Sequence, residues 1–548
     1  MRNVLLSAIF VTLTPVVVFA QSHQDWTYNL GMYEVNIRQY TEEGTFSAFA
    51  EHLDRLEEMG VGILWLMPIH PIGLENRLGS LGSYYSVRDY KDINPEFGTL
   101  EDFEDLVREI HERGMYVMLD WVPNHTSWDN YLTEEHPEWY ITEGGEFIPP
   151  PGTGWSDVIQ LDHSNPDLLD YMIDAMLFWV EEYNVDGFRY DAVSHVLEDD
   201  FLDDLNQALK DARPDIFLLA EHHEPKWHDL GFDMSFGWGL YGFGHGVLRR
   251  IADGDDDAGD LHNYMQDEIN RFPPEAYRMY FTSNHDENSW VGTTAELFGD
   301  AAEVFAVLTH TISGMPLIYS GQEAGLDERL AFFEKDQINW QEHPKKDMYT
   351  SLLQLKRENQ ALWNGDLGGQ PQRVGTSNDQ DVYAFTRSVD EDQVFVMYNL
   401  SDSEQTVTLE SNDGYSGQYR EIFTGSVSNY HGQETVTLPA WGYRVYERLG
   451  DPTSSMTDEL PERYSLHQNY PNPFNPATTI AYELPEAVHV EIAVFDMLGR
   501  RAATLVNNRQ EPGAHTVNFD ASGLSSGTYL IRMQAGQHTF TRKMMLLK

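Results

Sequence analysis

Charged and hydrogen-bonding side chains follow four apolar runs of this sequence, at the point where each run ends. They are Asp120, Asn124 and His125 in "DWVPNH", Arg189 and Asp191 in "GFRYDAV", Glu221 in "LLAEHHEP", and His285 and Asp286 in "SNHDEN". Paired carboxylates suit hydrolysis of a glycosidic bond, in which one acid protonates the departing oxygen and another attacks or activates water. The four segments contain neither a Gly-x-Ser-x-Gly elbow nor a series of metal-binding histidines, which disfavours serine esterase and zinc hydrolase chemistry.

Arg189 and Asp191 are two positions apart in a run that otherwise reads as buried strand. Side chains two apart on a strand face the same side, so the guanidinium is expected to lower the pKa of Asp191 and keep it ionised as a nucleophile. Glu221 has no such basic neighbour in the sequence and is expected to keep its proton as the acid. The structural alternative is a plain buried ion pair, which the four grouped strand ends disfavour.

These side chains need a scaffold that brings strand ends together. Eight apolar runs alternate with amphipathic segments over residues 24–362, which predicts a parallel (β/α)8 TIM barrel whose strand C-termini surround the active site. An open doubly wound sheet is the alternative, but no Gly-rich phosphate loop follows the first strand. Residues 126–161, rich in Trp, Pro and Gly, are predicted to form a small insert after strand 3.

The pattern changes after the barrel. Residues 365–448 alternate apolar and polar positions, which predicts an antiparallel β domain. Residues 449–463 read as a linker, and 464–548 as a small C-terminal β-sandwich that is close to neutral although the rest of the chain is acidic.

Composition narrows the class of partner. The 548 residues carry a formal net charge of −54, which disfavours nucleic acid and anionic membranes and fits a neutral, polyhydroxylated substrate. A strongly hydrated surface is the simplest reading of this acidity. The chain has 0 cysteines, which excludes disulfides and thiolate metal sites.

Residues 1–20 combine an early arginine, a short apolar run and Ala20 before "QSHQ". This pattern is typical of a cleaved signal peptide, with a retained membrane anchor as the less favoured alternative. We therefore expect an exported protein with no membrane-spanning segment after cleavage.

The motifs "DWVPNH", "GFRYDAVSH", "AEH" and "FTSNHD" match, in order and spacing, the short regions typical of glycoside hydrolase family 13, the α-amylase family. The segment "SYYSVRDYKDINPEFGTLEDF" also resembles the loop after that family's second strand. The resemblance covers about residues 26–448, including the insert and the β domain.

The resemblance implies a retaining mechanism and a role for each matching residue. Asp191 would be the nucleophile, Glu221 the general acid and base, and Asp286 the residue that stabilises the oxocarbenium-like transition state. The other matched residues would hold substrate or position the nucleophile: Arg189, His125, His285, Tyr85 and His195. Tyr85 and His125 could equally be packed core side chains.

Many members of the family hold a structural calcium ion. The matching ligands here would be Asn124 and the main-chain carbonyl of His195. Where an aspartate ligand is usual, the chain has Gln160, with Asp162 two residues later. Because a neutral amide attracts a hard cation less than a carboxylate does, the sequence leaves calcium open.

"YDAVSH" resembles α-amylases that cut α-1,4-glucans internally, so the leading hypothesis is endo-cleavage of starch-like polysaccharides. A neopullulanase, cyclomaltodextrinase or glucan-transferring relative is a second reading. A non-catalytic surface glucan-binding protein is a third, although such proteins usually lose one of the three carboxylates.

The last segment, from "NYPNPFNP" to "KMMLLK", resembles the C-terminal sorting domain of type IX secretion in Gram-negative bacteria. The resemblance implies a secreted or cell-surface protein that engages the type IX secretion machinery. A carbohydrate-binding module is the alternative, but this segment has no tryptophan.

Overall fold

The structure is a computed structural model that describes residues 23–242, 245–410, 413–449, 464–466, 469, 474, 476–497, 499–510, 512–536 and 538–546. The predicted signal peptide, 1–20, and all but one residue of the predicted linker, 449–463, lie outside the described residues. The chain forms two compact units that divide after Arg448.

A closed barrel of eight parallel strands forms the centre of the first unit, with the strands in sequential order around it. These are β1 (Met32–Val35), β2 (Ile63–Leu66), β3 (Tyr116–Trp121), β4 (Gly187–Tyr190), β5 (Phe217–Ala220), β6 (Met234–Phe236), β7 (Tyr277–Tyr280) and β8 (Met315–Tyr319). The prediction of a (β/α)8 barrel is confirmed.

Helices connect the strands and cover the outside of the barrel. The longer ones are Leu53–Met59, Leu100–Glu112, Pro166–Tyr183, Asp199–Ala212, Val247–Asp253, Ala258–Arg271, Ala302–Thr311 and Pro344–Glu358. Short helices are Ile37–Tyr40, Phe46–Ala50, Leu132–Glu135, Lys226–Asp229, Trp238–Tyr241 and Thr294–Phe298, with a π-helical turn at Glu287–Val291.

The helix Leu100–Glu112 illustrates how the sequence specifies these elements. It begins with a capping box: the Thr99 hydroxyl accepts from the Asp102 N–H, and the Asp102 carboxylate accepts from the Thr99 N–H. Its apolar positions recur every three or four residues and are all buried against the barrel: Phe103, Leu106, Val107 and Ile110.

Gly187 lets β4 approach β5 closely. A Cβ atom at this position would lie 2.4 Å from the Phe217 carbonyl oxygen, so any other residue would push the two strands apart. The glycine therefore supports the strand pairing that places Arg189 and Asp191 beside the end of β5.

An insert follows β3. His125–Ser127 pairs antiparallel with Val158–Gln160, and a hairpin of Thr142–Glu143 and Glu146–Phe147 lies between them. This excursion carries side chains over the C-terminal end of the barrel.

An antiparallel β domain completes the first unit. One six-stranded sheet contains, in spatial order, Gln372–Arg373, Val382–Val389, Asp392–Asn399, Tyr443–Leu449, Gly417–Glu421 and Val427–Tyr430. A two-stranded sheet pairs Gln405–Thr408 with Thr435–Leu438.

The second unit is a β-sandwich with a hydrophobic core of its own, as predicted. One sheet has the strands Ser465–Leu466, Ala477–Leu484 and Gly513–Asp520, and the other has Arg501–Gln510, Val488–Asp496, Gly527–Ala535 and His538–Leu546. Over both units, none of the helices in the described residues combines the length and apolar character needed to cross a bilayer.

Candidate active site

Arg189 lies at the centre of the site, fully buried at the end of β4. Its Nη1 donates to Asp120 Oδ1 at 2.8 Å and to Asp191 Oδ1 at 3.1 Å. Its Nη2 lies 2.8 Å from Glu221 Oε1. One guanidinium thus bridges carboxylates from the ends of β3, β4 and β5, and Arg189 and Asp191 face the same side as their spacing predicted.

The expectation that Arg189 lowers the pKa of Asp191 below its usual range was wrong. Glu221 does have a basic partner, Arg189, which sequence spacing could not reveal because the contact crosses from β4 to β5. Burial, followed by the charge of Glu221, raises the pKa of Asp191 well above its usual range, and Arg189 only opposes this rise. Burial likewise raises the pKa of Asp120 to about 6. Because three carboxylates share one guanidinium, their mutual repulsion favours a proton on one of them.

The turn after Asp191 fixes the position of Glu221. Ala192 adopts a left-handed conformation with φ of 46°, which is uncommon for a residue with a side chain. Its N–H donates to Glu221 Oε2 at 2.6 Å. Backbone strain next to the carboxylates is therefore coupled to the orientation of the proposed acid.

His285 and Asp286 extend the site from the end of β7. Asp286 Oδ2 lies 3.4 Å from His285 Nε2 and is about one-third exposed, at 35% of its side-chain area. Tyr85 lies above β2, where its hydroxyl donates to Asp120 Oδ2 at 3.0 Å and contacts His285 Nε2 at 2.7 Å. The Tyr85 ring stacks on His285, with centroids 5.5 Å apart.

Glu34 on β1 is a site residue that the sequence reasoning missed. It is fully buried, and its Oε1 is hydrogen-bonded to His285 Nδ1. The signal was present in the sequence, because "MYEV" places a carboxylate at the end of an apolar run, as "LDW" does for Asp120.

His125 and His195 lie on either side of Trp155, a tryptophan of the insert. The ring centroids of Trp155 lie 5.4 Å from His125 and 5.3 Å from His195. Burial lowers the pKa of His125 to about 3, so its ring is neutral. Its Nδ1 accepts from Asn124 Nδ2 at 2.9 Å, which leaves the proton on Nε2.

Five of these groups line an open cleft of about 180 Å³ with apolar walls: Tyr85, His125, Trp155, Asp191 and Asp286. Trp155 is 37% exposed on the insert side, and Trp290 is 53% exposed after β7. Trp290 packs on Phe332, whose ring stacks parallel to Tyr85. Exposed aromatic faces beside carboxylates suit the apolar faces and hydroxyl groups of sugar rings. Trp155, Trp290 and Phe332 were also missed, because aromatic residues in loops carry no periodic signal.

Two of the predicted calcium ligands, Asn124 and Asp162, have hydrogen-bond partners within the protein. Gln160 Nε2 donates to Asn124 Oδ1 and the Asn124 carbonyl, both at 3.0 Å, and to the Leu161 carbonyl at 3.1 Å. Three oxygens thus accept from one amide nitrogen, which suits an N–H donor at this point. Asp162 is directed elsewhere, because its Oδ1 accepts from the N–H and hydroxyl of Ser164. Across the described residues, no cluster of three or more His, Cys, Asp or Glu side chains could hold a metal ion.

Comparison with known proteins identifies the family. Residues 17–147 and 153–364 match the family model of the alpha amylase catalytic domain. The chain belongs to the α-amylase family, glycoside hydrolase family 13. Residues 373–445 match the maltogenic amylase C-terminal domain, and residues 468–547 match the secretion system C-terminal sorting domain. Both resemblances inferred from the sequence are thereby confirmed.

The relatives of this family-13 hydrolase are named for different specificities. Alpha-amylase 3 of Dictyoglomus thermophilum is 24% identical over 73% of this chain and 90% of its own length. A cyclomaltodextrinase of Geobacillus thermopakistaniensis is 23% identical over 74% of this chain and 70% of its own length. Among solved structures, a noncanonic maltogenic alpha-amylase from Thermotoga neapolitana is 26% identical with a TM-score of 0.68, covering 77% of this chain and 99% of that one.

Proposed function

We propose that this glycoside hydrolase cleaves α-1,4-glucosidic bonds of α-glucans with retention of configuration. The observation that carries the proposal is the set of carboxylates held by Arg189, of which Asp191 lines an aromatic-walled cleft together with Asp286. Asp191 and Glu221 contact the same guanidinium, which supports the short separation of about 5–5.5 Å that retaining enzymes use.

In the reactive state the proton of the carboxylate cluster is on Glu221, and Asp191 is ionised beside Arg189. In the first step, an Asp191 oxygen attacks the anomeric carbon while Glu221 protonates the glycosidic oxygen. The C–O bond to the leaving sugar breaks, and a covalent glycosyl ester of Asp191 forms. Asp286 carries the negative charge that stabilises the oxocarbenium-like transition state. In the second step, Glu221 removes a proton from water, the water oxygen attacks the same carbon, and the Asp191 carboxylate departs.

The remaining site residues orient these groups. Arg189 positions Asp191 and Glu221, and Tyr85 offers its ring face to the sugar at the cleavage point. His125 Nε2 donates to its hydroxyl groups, and His285 contacts the Tyr85 hydroxyl and orients that side chain. His195 supports Trp155, which forms the insert side of the cleft.

We favour short or cyclic malto-oligosaccharides as substrates, because the match to the maltogenic amylase C-terminal domain and the named relatives support that specificity. Internal cleavage of starch is the second candidate. The exposed rings of Trp155 and Trp290, on which further sugar rings could stack, favour it.

The C-terminal sorting domain supports export to the surface or exterior of a Gram-negative bacterium through type IX secretion machinery. An enzyme placed there would meet polymeric or oligomeric glucans outside the cell.

Product analysis tests the proposed function. Full-length protein is incubated with starch, β-cyclodextrin, maltoheptaose and pullulan, and products are sized by chromatography while ¹H NMR identifies the anomer first formed. We expect α-anomeric products, with kcat reduced at least about 10³-fold in Asp191→Asn and Glu221→Gln. The exposed Glu224, three residues after Glu221, supplies the control variant Glu224→Gln, which should retain full activity.

Mainly maltose from cyclodextrin and maltoheptaose would support the maltogenic specificity, and a ladder of oligosaccharides from starch would support the endo-acting one. A folded protein that releases no product from any of these glucans would contradict the proposal.

A further inference from the structure

Glu34 and His285 form a buried pair beneath the cleft that the mechanism above does not explain. Both side chains are at most 2% exposed. They are distant in the sequence, because Glu34 lies on β1 and His285 follows β7. Glu34 Oε1 is hydrogen-bonded to His285 Nδ1, while Glu34 Oε2 is buried without a hydrogen-bond partner among the described residues. Burying a carboxylate with one unsatisfied oxygen destabilises the folded state, which indicates that Glu34 has a functional role.

The protons in this network have a defined direction. A phenol has one proton, and Tyr85 donates it to Asp120 Oδ2 at 3.0 Å. The contact of 2.7 Å between Tyr85 and His285 Nε2 therefore needs a proton from the imidazole. A neutral imidazole that donated Nδ1–H to Glu34 would have no such proton, and Nε2 would compete with Asp120 for the phenol proton.

We propose that Glu34 is a positioning residue that keeps the His285 imidazole doubly protonated and directs its Nε2–H toward the Tyr85 hydroxyl. The chain of hydrogen bonds then runs from Glu34 through His285 and Tyr85 to Asp120, with one proton between each pair of neighbours. Asp120 in turn accepts from Arg189 at 2.8 Å, so Glu34 on β1 is linked through this network to Arg189, the partner of Asp191.

The charges around His285 agree with this assignment. Burial lowers the pKa of His285, but Asp286 and Glu34 outweigh it and raise the pKa to about 9. The charged and titratable groups that face the imidazole are Glu34, Tyr85, Asp120, Arg189, Asp286 and Glu287. The carboxylates outnumber Arg189, so the environment favours a cation.

The role of Glu34 in catalysis rests on the proposed function, but its effect on His285 can be measured without substrate. Full-length protein with ¹³C-labelled histidine is titrated by NMR, and the His285 signal is assigned by its loss in His285→Gln. We expect a cationic ring up to about pH 9 in the wild type. In Glu34→Gln the pKa of His285 should fall by at least one pH unit.

Glu323 provides a matched control. It is a carboxylate 2% exposed after β8, paired with Arg55 and Tyr33 instead of His285. Glu323→Gln should leave the titration of His285 unchanged. If Glu34→Gln does not fold, Glu34→Asp is used, because a carboxylate withdrawn by one methylene group should lower the pKa of His285 by a smaller amount.

Kinetics give a second readout that a merely structural role would not produce. At pH 7 we expect kcat/KM of Glu34→Gln to fall about 10- to 100-fold, since an orienting donor is lost. The deficit relative to wild type should shrink as the pH falls and His285 regains its proton. An unchanged His285 titration in the Glu34 variants, or an equal deficit at every pH, would overturn the proposal; wild-type protein inactive on glucans with the expected NMR shift would overturn only the proposed function.

Discussion

Glu287 follows Asp286 directly and is fully buried beside the Tyr241 hydroxyl. Burial raises the pKa of Glu287 to about 8, so the side chain is mainly neutral at neutral pH. The folded state therefore binds a proton that the unfolded chain releases near pH 4.5. This contribution to stability is fully present below that pH and is lost as the pH rises through 8.

We predict that Glu287→Gln removes this sensitivity, because an amide of the same shape has no charge to bury. Between pH 5 and pH 9, the thermal midpoint of the first unit should fall less in the variant than in the wild type. At pH 9 the two proteins should differ in the pH-dependent part of their free energy of unfolding by on the order of a few kcal/mol. Differential scanning calorimetry at both pH values measures it, with Glu224→Gln as the exposed control. Parallel pH curves for wild type and variant would contradict the prediction.

At the scale of elements, the insert strand Val158–Gln160 is hydrogen-bonded through the Gln160 side chain to the segment that follows β3. The Gln160 amide satisfies Asn124, and Asn124 in turn fixes the tautomer of His125. A neutral side chain thus joins the insert to the end of β3 and orients a residue of the cleft.

We predict that the first unit has the same thermal midpoint, within about 1 °C, in calcium and in EDTA. Gln160→Asp should lower the midpoint in EDTA, since a carboxylate among three oxygens is repelled, and calcium should restore it by several degrees. Gln160→Asn keeps an amide too short to reach, so its loss of about 1–3 kcal/mol should not respond to calcium. A wild-type midpoint that drops by several degrees in EDTA would show that this account is wrong.

At the scale of the whole molecule, the two units have separate hydrophobic cores, with Ile480, Ile492 and Ile531 among the fully buried residues of the second. All the site residues belong to the first unit. We predict that a chain ending at Leu449 keeps kcat/KM on maltoheptaose within about twofold and keeps the thermal midpoint of the first unit, since domains with their own cores fold as units. Loss of folding or activity after this truncation would contradict independence of the units.

The sequence alone determined the family, the eight strands and the positions of the three carboxylates, because alternating patterns and short motifs are local properties of the chain. The two-residue spacing of Arg189 and Asp191 correctly placed both on one side of β4. The sequence also showed Gln160 at the position where a carboxylate ligand is usual.

Only the tertiary structure decided which charges meet across strands. Arg189 reaches Glu221 on the next strand, Glu34 reaches His285 across the closure of the barrel, and the Gln160 nitrogen donates to Asn124. Each of these contacts joins residues from separate segments, and their electrostatic effect depends on distance and burial. Spacing along the chain fixes which face a side chain occupies, but closure of the barrel fixes what it touches.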